Sequence, residues 1–448
     1  MLTVLAYTMV VVFMALIMTK RLPAVVALIL VPIVFGLIGG FGAGLGPMML
    51  AGIQKLAPTG VMLMFAILYF GVMIDAGLFD PAVRLILKLV HGDPVRIVMG
   101  TAILAMFVSL DGDGSTTYMI TVSAMLPLYK RLGMSRLVLA CVIMLAGGVF
   151  NILPWGGPTA RTASALGVDV GQVFVPMIPA MIASAAWVLF VAYVLGRRER
   201  KRVGVVTLTD LSASSADEPG TGTLSVAEAA HGAGTADISR PKLLWINFAL
   251  TAGLMVVLIM GLLPLPALFM IAFAIAIMIN YPGLQEQKER LTAHAANVLP
   301  VVSLIFAAGI FVGILSGTKM VDAIANSVIA SIPPWMGPYL AIVTGLLSIP
   351  FTFFISNDAF YFGIVPILAK AAAVYGISPI EIARASIIGQ PVHLLSPLVA
   401  STYLLVGMSE IEFGDHQRYT LLWSLSASLV MLVAGVVFGV IPLVGRLP

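Results

Sequence analysis

The hydrophobic positions of this chain lie in long uninterrupted runs rather than in the short periodic stripes of a water-soluble fold. A helix needs about 20 apolar residues to cross a hydrocarbon core of roughly 30 Å. Ten runs of about that length are found at 1–19, 22–40, 58–76, 136–160, 172–195, 243–263, 265–281, 298–316, 380–407 and 419–444. The pattern predicts ten membrane-crossing helices. The first run lacks the basic leader and small-residue cleavage site of a secretory signal.

Two further apolar regions, 94–130 and 335–375, are each interrupted midway by a short polar cluster. The first cluster reads Asp-Gly-Asp-Gly-Ser-Thr from Asp111, and the second is Ser-Asn-Asp at 356–358. Every backbone polar group in lipid must be paired, so a broken helix is tolerated only where protein surrounds it or where it lines a wet cavity. We therefore predict two re-entrant hairpins, each with a polar tip.

The composition excludes several classes of protein. Apolar residues make up 60% of the 448 residues, charged residues make up 10%, and the mean hydropathy is +1.09. Such a chain cannot cover a water-facing exterior, so a soluble globule is excluded. The single cysteine, Cys141, rules out a disulfide framework, and no Cys/His spacing suits a resident metal cofactor. Because the basic residues flank hydrophobic spans, the expected partner is membrane lipid and not nucleic acid.

Basic residues are divided unequally between the two sides of the predicted membrane. With the N-terminus outside, 18 of the 24 lysines and arginines fall on the cytoplasmic side. These are Lys20, Arg21, Arg84, Lys88, Arg96, Lys130, Arg131, Arg136, the five between Arg197 and Arg202, Arg240, Lys242, Lys288, Arg290 and Arg418. Since basic residues concentrate in cytoplasmic loops, we expect a multi-pass cell-membrane protein with both termini outside.

A central segment, 197–241, is rich in Ser, Thr, Gly, Ala and acidic residues and has no hydrophobic periodicity. Segments of this composition cannot bury enough apolar surface to fold. We predict a disordered cytoplasmic linker over 197–241. It separates a first membrane repeat, 1–196, from a second, 242–448.

The two repeats share their helix-breaking residues. An offset of 242 residues pairs Pro58 with Pro300, and an offset of 243 pairs Pro154 with Pro397. Each repeat has five crossings and one hairpin, and an odd number of crossings inserts the second copy upside down. The predicted fold is an all-α polytopic membrane protein built as an inverted repeat, which is typical of secondary transporters.

Two of the crossings are themselves interrupted, at 151–159 and at 390–397, in corresponding places of the two repeats. Together with the hairpin tips they give four helices that restart inside the membrane, and the free N–H groups of such starts attract anions. We expect the starts after Gly114, Asn357, Gly157 and Pro397 to face one midplane cavity. That cavity suits a carboxylate substrate.

Three acids in the hairpin tips, Asp111, Asp113 and Asp358, are candidate metal ligands. A charged side chain at membrane depth costs about 2.5–3.5 kcal/mol on insertion scales and is rarely kept without a role. Carboxylates beside anion-attracting helix starts would bring in a cation together with the anion. The alternative is that the tips lie at the water interface and serve only as helix caps.

Other polar side chains allow two readings each. His393 is predicted inside the bilayer and is either a proton acceptor or a hydrogen-bonded packing residue. Arg161 either holds a substrate carboxylate or extends its charge to the outer surface. Tyr118 and Tyr361 are expected to pack. Asp75 is expected to face water near a membrane boundary.

Three stretches of sequence resemble the citrate–divalent metal:proton symporter family, which belongs to the larger ion transporter superfamily. They run from Leu110 to Ile120, from Asn151 to Arg161, and from Met18 to Pro32, and the likeness covers the chain except for the linker. Related sodium-coupled dicarboxylate carriers have Ser-Asn-Thr at both tips. Here the first tip has Asp-Gly-Ser-Thr and the second has Ser-Asn-Asp, so the extra acids favour a bound Mg²⁺ or Ca²⁺.

The resemblance implies that Ser115, Thr116, Ser356 and Asn357 bind substrate carboxylates, with Pro397 and Thr402 nearby. The interrupted crossings and the residue after them add further candidates, namely Asn151, Gly157, Thr159, Ser396 and Arg161. His393 and Asp113 are the candidates for proton coupling. A homodimer is also implied by the superfamily.

The predicted function is secondary active import of a metal–citrate complex by proton symport, with alternating access. No cofactor is expected, because the divalent metal is a co-substrate. A sodium-coupled di- or tricarboxylate carrier, or a cation/proton antiporter of the same architecture, is the alternative within transport. An intramembrane aspartyl protease is an enzymatic alternative, which the internal repeat disfavours.

Overall fold

The computed structural model describes residues 2–19, 21–89, 92–204, 238–331, 333 and 335–446. Within these ranges the chain is helical and contains no β-strand. Seven of the described helices are long and apolar enough to cross a membrane, and they span Gly42–Asp75, Pro94–Asp111, Val170–Val203, Pro241–Met260, Leu284–Gly317, Gly337–Phe354 and Phe413–Val437. The protein is therefore an all-α polytopic membrane protein, as predicted.

The first half contains the following helices: α1 (Leu2–Met18), α2 (Ala24–Ile38), α3 (Leu45–Asp75), α4 (Asp80–Leu89), α5 (Pro94–Val108), α6 (Gly114–Arg131), α7 (Arg136–Phe150), α8 (Gly157–Leu166), α9 (Val170–Phe174) and α10 (Ile178–Val203). Helices α5 and α6 form the first hairpin. The crossing predicted at 136–160 is divided between α7 and α8, with its break where the sequence predicts one.

The second half contains α11 (Leu244–Met260), α12 (Leu265–Asn280), α13 (Leu284–Gly317), α14 (Met320–Ser331), α15 (Leu340–Phe354), α16 (Val365–Ala373), α17 (Pro379–Ser386), α18 (Gln390–His393), α19 (Ala400–Ser409) and α20 (Phe413–Val437). A π-helical turn, Ala359–Ile364, precedes α16. Helices α8 and α19 start 243 residues apart and end 243 residues apart. The order of hairpin, broken crossing and final helix is the same in both halves.

The long helices α3 and α13 occupy corresponding places in the two halves and pack against each other along their length. Near one end a Cβ on Gly313 would meet the Met48 carbonyl oxygen, and near the other the His294 ring lies against Gly71. The early part of α3 thus contacts the late part of α13, and the late part contacts the early part. The two helices therefore run antiparallel.

Charged side chains at the ends of the helices join segments that the sequence places on the same side of the membrane. Glu410 binds Lys130 at 2.5 Å and Arg136 at 2.7 Å, and these two cations hold the pKa of Glu410 below its usual range. On the predicted outer side, Lys370 binds Asp322 at 3.0 Å. These contacts agree with the grouping of loops derived from the basic residues.

Two crossings begin earlier than predicted. The sequence pattern starts them at 58 and at 298, whereas α3 begins at Leu45 and α13 at Leu284. Pro58 and Pro300 lie inside these helices. Proline removes one backbone donor and bends a helix, but neighbouring packing can carry the helix through it.

The early start of α13 also corrects the prediction that Asp75 faces water. Asp75, the last residue of α3, is 0% exposed. Its Oδ2 lies 2.8 Å from His294 Nε2 and 3.3 Å from Arg290 Nη1. Both partners belong to the first turns of α13, which the sequence pattern did not place beside α3.

The prediction of a disordered linker over 197–241 is wrong at both of its ends. Helix α10 continues to Val203, so residues 197–203 are helical. Residues 205–237 lie outside the part of the chain that the structure describes. Where the chain is described again, the Arg240 backbone N–H donates to the Ala76 carbonyl oxygen at 3.0 Å and its side chain pairs with Glu286 at 3.0 Å.

Candidate functional site

The tip of the first hairpin is a turn shaped by glycine and two aspartates. Gly112 has a φ of +82°, which favours glycine, and it lets the chain reverse after the 3₁₀ turn Ser109–Asp111. Asp113 caps α6 by accepting hydrogen bonds from the backbone N–H groups of Ser115 at 3.0 Å and Thr116 at 3.3 Å. Asp113 is exposed and therefore accessible at this tip. The capping role weighed for this residue is present.

Asp111 is held differently from Asp113. Its Oδ1 accepts the backbone N–H of Asp113 at 2.9 Å, whereas its buried Oδ2 has no hydrogen-bond partner among the described residues. Asp111 as a whole is 7% exposed. A buried carboxylate oxygen without a donor is costly unless a cation or a proton occupies it. Asp111 is thus the tip residue best suited to bind a positive charge.

The tip of the second hairpin breaks its helix by a different route. Helix α15 ends at Phe354, and the next residue, Ile355, is extended with φ −119° and ψ 160°. Ser356 Oγ accepts the backbone N–H of Ala359 at 3.2 Å, and the chain continues as the π-helical turn. π-helical segments are frequent at functional sites, because the extra residue reorients side chains. Asn357 and Asp358 are placed just before this turn and are partly exposed.

The break between α7 and α8 is braced by side-chain bonds to backbone oxygens. Thr159 Oγ1 donates to the Ile152 carbonyl oxygen at 2.6 Å, and Trp155 Nε1 donates to the Leu110 carbonyl oxygen at 3.0 Å. The first bond gives the Ile152 carbonyl oxygen a partner within the broken segment. The second bond attaches the broken segment to the first hairpin tip. Thr159 is 0% exposed, so it acts on the backbone here.

The break between α18 and α19 is braced in the same way. Thr402 Oγ1 donates to the Leu394 carbonyl oxygen, and Ser396 Oγ donates to the Phe353 carbonyl oxygen at 2.6 Å. His393 Nδ1 lies 2.6 Å from the Thr352 carbonyl oxygen, a contact in which the ring nitrogen is the donor. These contacts fit the hydrogen-bonded packing alternative for His393. Pro397 is exposed at this break.

Side chains from both halves meet where the tips and the broken crossings come together. Arg161 Nε donates to Asp358 Oδ1 at 2.6 Å, so α8 of the first half contacts the second hairpin tip. Asn151 Nδ2 donates to Gln390 Oε1 at 2.8 Å across the two breaks. In turn, Gln390 Nε2 donates to Tyr361 Oη at 2.8 Å and to Asn357 Oδ1 at 3.4 Å.

The first hairpin tip makes the reciprocal contact with the second half. A Cβ built on Gly114, the first residue of α6, would lie 3.8 Å from Ser401 Cβ near the start of α19. Two helix N-termini therefore meet at this point, and their dipoles create a positive potential. The first N–H groups of α6 are already bound to Asp113, whereas the start of α19 has no side-chain cap. Such a junction attracts an anion.

The structure brings some predicted site residues together and separates others. Asn151, Arg161, Asn357 and Asp358 are linked through direct contacts or through Gln390. Gly157 begins α8, and Ser115 and Thr116 begin α6. The described residues contain no group of three or more His, Cys, Asp or Glu side chains arranged to hold a metal ion. Asp111, Asp113 and Asp358 therefore do not form such a group in this conformation, and their metal-binding role stays a prediction.

Of the two readings of Arg161, the one in which its charge extends to the outer surface is wrong. Its side chain is only 22% exposed and pairs with Asp358. Because Asp358 neutralises the Arg161 guanidinium, this side chain does not need to extend to water to solvate its charge.

Gln390 is the site residue that sequence reasoning missed. It is 0% exposed and contacts three side chains, from the other broken crossing and from the second hairpin. The only available signal was its place as the first residue of the predicted interruption at 390–397. A buried amide at a helix break must find partners, and here the partners are other candidate site residues.

Broken helices that meet between two similar halves define a helical membrane transporter. Comparisons with known proteins identify which kind. A model of the citrate transporter family, CitMHS, matches residues 13–389, and the chain belongs to this family. The relatives are transporters, and the protein is a transporter and not an enzyme; the protease alternative is therefore wrong.

Two relatives from Bacillus subtilis (strain 168) cover nearly the whole chain. One, named "Citrate transporter", is 58% identical over 98% of this chain and 100% of the relative. The other, named "Mg(2+)/citrate complex secondary transporter", is 52% identical over 98% of this chain and 99% of the relative. Among solved structures, the YdaH transporter of Alcanivorax borkumensis is similar with a TM-score of 0.63. It is 17% identical over 91% of this chain and 90% of its own, so this likeness concerns the fold.

Proposed function

We propose that this protein imports citrate as a complex with Mg²⁺ or Ca²⁺ by proton symport and alternating access. The observation that carries the proposal is the junction of the hairpin tips with the broken crossings of the opposite half. The broken crossings contribute Arg161 and the start of α19, which meets the start of α6. The first tip contributes Asp111, whose Oδ2 has no hydrogen-bond partner in the part of the chain that the structure describes. These features suit a substrate that presents negative and positive charge together. The name of the Mg²⁺/citrate relative supports the same substrate.

Each predicted site residue has a proposed role at this junction. Ser115, Thr116, Asn151, Gly157, Ser356, Asn357, Pro397 and Arg161 contact the carboxylates. Thr159, Ser396 and Thr402 hold the breaks in shape through their bonds to backbone oxygens. Asp111, Asp113 and Asp358 hold the metal. Asp113 and His393 remain the candidates for proton transfer, and the donor role of His393 Nδ1 leaves Nε2 to accept a proton.

Protons follow from the charge of the substrate. Citrate³⁻ with a divalent cation carries one negative charge, so an inside-negative potential opposes its import. One proton makes the transported unit neutral, and two make it positive. Each positive charge then gains about 2.3 kcal/mol per 100 mV. We therefore propose at least two protons per metal–citrate complex.

The proposed membrane arrangement is an inverted repeat, 1–196 and 242–448, with both termini outside and the linker in the cytoplasm. The antiparallel packing of α3 against α13, which correspond in the two halves, supports inversion. Helices α1 to α3 and α11 to α13 act as a scaffold, and the hairpins and broken crossings form the moving unit. The superfamily resemblance supports a homodimer, which mass photometry in detergent would test.

The decisive experiment is uptake of labelled citrate by proteoliposomes. We expect uptake to need Mg²⁺ or Ca²⁺ and an inward proton gradient, and not to need Na⁺. Asp113→Asn is expected to abolish metal-dependent uptake. Uptake driven by Na⁺ without divalent metal would instead establish the sodium-coupled alternative. Full transport by Asp113→Asn would remove that residue from its proposed role.

A further inference from the structure

Arg161 and Asp358 form a short ion pair between the two halves of the molecule. Arg161 belongs to α8 of the first half, and Asp358 lies at the second hairpin tip. The Nε–Oδ1 distance is 2.6 Å, and the side chains are 22% and 17% exposed. The pair is therefore largely withdrawn from water. Salt and solvent screen charges less at such a site than they do at the surface.

Each member of this pair is the charge partner of the other. An anion that takes the Nε–H of Arg161 must displace Asp358 from it, and a cation that takes Oδ1 of Asp358 must displace Arg161. A partly buried charge that loses its partner is strongly destabilised. Opening the pair is thus favourable only when both charges receive new partners in the same event.

Free citrate cannot provide both partners. It would satisfy Arg161 but place three negative charges near an uncompensated Asp358. A free divalent cation has the opposite fault, because it would satisfy Asp358 and leave Arg161 facing two positive charges. The metal–citrate complex brings a carboxylate for Arg161 and a metal ion for Asp358 together.

We infer that the Arg161–Asp358 pair makes the site selective for metal-bound citrate over free citrate or free metal. In the empty protein the two side chains neutralise each other. In the loaded protein Arg161 faces a substrate carboxylate and Asp358 faces the metal. The inference rests on the proposed function, because it takes the metal–citrate complex as the substrate.

The other tip acids do not offer Arg161 an equivalent partner. Asp113 accepts hydrogen bonds from Ser115 and Thr116 in its own tip, and Asp111 accepts one from Asp113. A second ion pair, Lys370–Asp322, joins the same kinds of charge at 3.0 Å, but its side chains are 55% and 43% exposed. Because solvent screens that pair, Asp322→Asn is a matched control.

The test is isothermal titration calorimetry on the purified full-length protein in detergent at constant ionic strength. Citrate is titrated in metal-depleted buffer and in excess Mg²⁺. The Kd in metal-depleted buffer divided by the Kd in excess Mg²⁺ measures the metal dependence of binding. Asp358→Asn is expected to lower this ratio about tenfold or more, because Arg161 can then accept free citrate. Asp358→Glu keeps the charge and is expected to keep the metal dependence. Asp322→Asn is expected to leave the ratio unchanged.

Arg161→Gln removes the cation of the pair and tests whether Asp358 then becomes available to a metal ion. With Asp358 released, Mg²⁺ alone is expected to bind about tenfold or more tightly than it does to the unmodified protein. Arg161→Gln also tests the inference by itself if Asp358→Asn does not give folded, monodisperse protein. An unchanged Mg²⁺ affinity in Arg161→Gln, or an unchanged ratio in folded Asp358→Asn, overturns the inference while leaving metal–citrate transport intact. Failure of the unmodified protein to bind metal–citrate overturns the proposed function itself.

Discussion

Gln390 connects two candidate substrate-binding residues, Asn151 and Asn357, that come from separate segments. Its amide oxygen accepts from Asn151, and its amide nitrogen donates to Tyr361 and Asn357. A glutamine amide has both donors and an acceptor, so a single residue can satisfy all three contacts. Gln390 is 0% exposed and does not face solvent, which makes it a positioning residue for the two asparagines.

Gln390→Ala is expected to raise the KM for metal–citrate roughly tenfold with a smaller effect on kcat. The substitution leaves buried polar partners unsatisfied, at about 1–3 kcal/mol each, and frees the Asn151 and Asn357 side chains to rotate. Proteoliposome uptake at varied substrate concentration separates the two kinetic parameters. Gln287→Ala is the matched control, because its side chain donates to the Tyr281 carbonyl oxygen in the loop before α13 and not to a candidate site residue. Unchanged KM in folded Gln390→Ala would remove Gln390 from the site.

The residues that the sequence identified are those whose chemistry conflicts with their surroundings. Asp111 and Asp358 stand out because an acid in an apolar run is costly. Gln390 and His294 carry no such signal, since Asn151 lies 239 positions from Gln390 and Asp75 lies 219 positions from His294. Packing of one half on the other brings Asn151 to Gln390 and Asp75 to His294.

At the scale of elements, α3 and α13 approach closely because small residues line their contact. A Cβ on Gly52 would meet the Gly309 carbonyl oxygen, which is backbone and cannot move aside as a side chain can. Close approach of this kind is how helices pack in membranes, where no hydrophobic effect drives them together. The antiparallel contact between the two halves thus depends on residues without side chains.

Gly52→Ala is expected to lower the free energy of unfolding of the protein in detergent by about 1–3 kcal/mol, a typical effect of overpacking, and so to lower its melting temperature. Gly46→Ala is the control in the same helix, because nothing lies within 4 Å of its Cβ position. It is expected to match or slightly exceed the unmodified protein, since alanine favours helix over glycine. Thermal unfolding followed by circular dichroism compares the two variants. Equal melting temperatures would contradict the close contact between α3 and α13.

The contact between the first hairpin tip and α19 can be tested by cross-linking. Gly114→Cys together with Ser401→Cys is expected to form a disulfide under mild oxidation. The built Cβ of residue 114 lies 3.8 Å from Ser401 Cβ, and disulfides require about 3.5–4.5 Å. Cleavage at a protease site inserted in the 205–237 segment, followed by non-reducing gel electrophoresis, shows whether the halves stay joined. Separation of the halves without reductant would contradict the site geometry.

Glycine and proline located most of the helix breaks from sequence, but not all of them. The breaks predicted at 151–159 and 390–397 combine these residues with polar ones, and each crossing is interrupted. The first break lies at 151–156, whereas the second is divided into 387–389 and 394–399 by the short helix α18. Pro58 and Pro300 misled the prediction, because each stands alone in an apolar run that continues as helix on both sides. A proline ends a helix when polar neighbours can satisfy the freed backbone groups and bends it otherwise.

At the scale of the whole molecule, the basic residues and the ion pairs give the same division of the chain into two ends. Lys130 and Arg136 meet Glu410 at one end, and Lys370 meets Asp322 at the other. The order of the helices was predictable because hydrophobic length is read locally. The pairing of the halves was only partly predictable, because the repeat shows which elements correspond and leaves open which of them touch.

One helix carries a test of the orientation at both its ends. Helix α13 has 34 residues and a length of about 51 Å, which is ample to cross the hydrocarbon core. Lys288 lies near its start, on the predicted cytoplasmic side, and Lys319 follows its end, on the predicted outer side; both are exposed. Cysteine placed at either position is therefore reachable from one side of the membrane only.

In intact cells, a membrane-impermeant maleimide is expected to label Lys319→Cys at once and to label Lys288→Cys only after the membrane is permeabilised. The physical reason is the threefold excess of basic residues on the side that holds Lys288, since such residues are retained in the cytoplasm. The native Cys141 is 0% exposed and serves as the internal control that should stay unlabelled. Labelling in the reverse order would place both termini inside. Metal–citrate would then meet the opposite face of the junction between the two halves first.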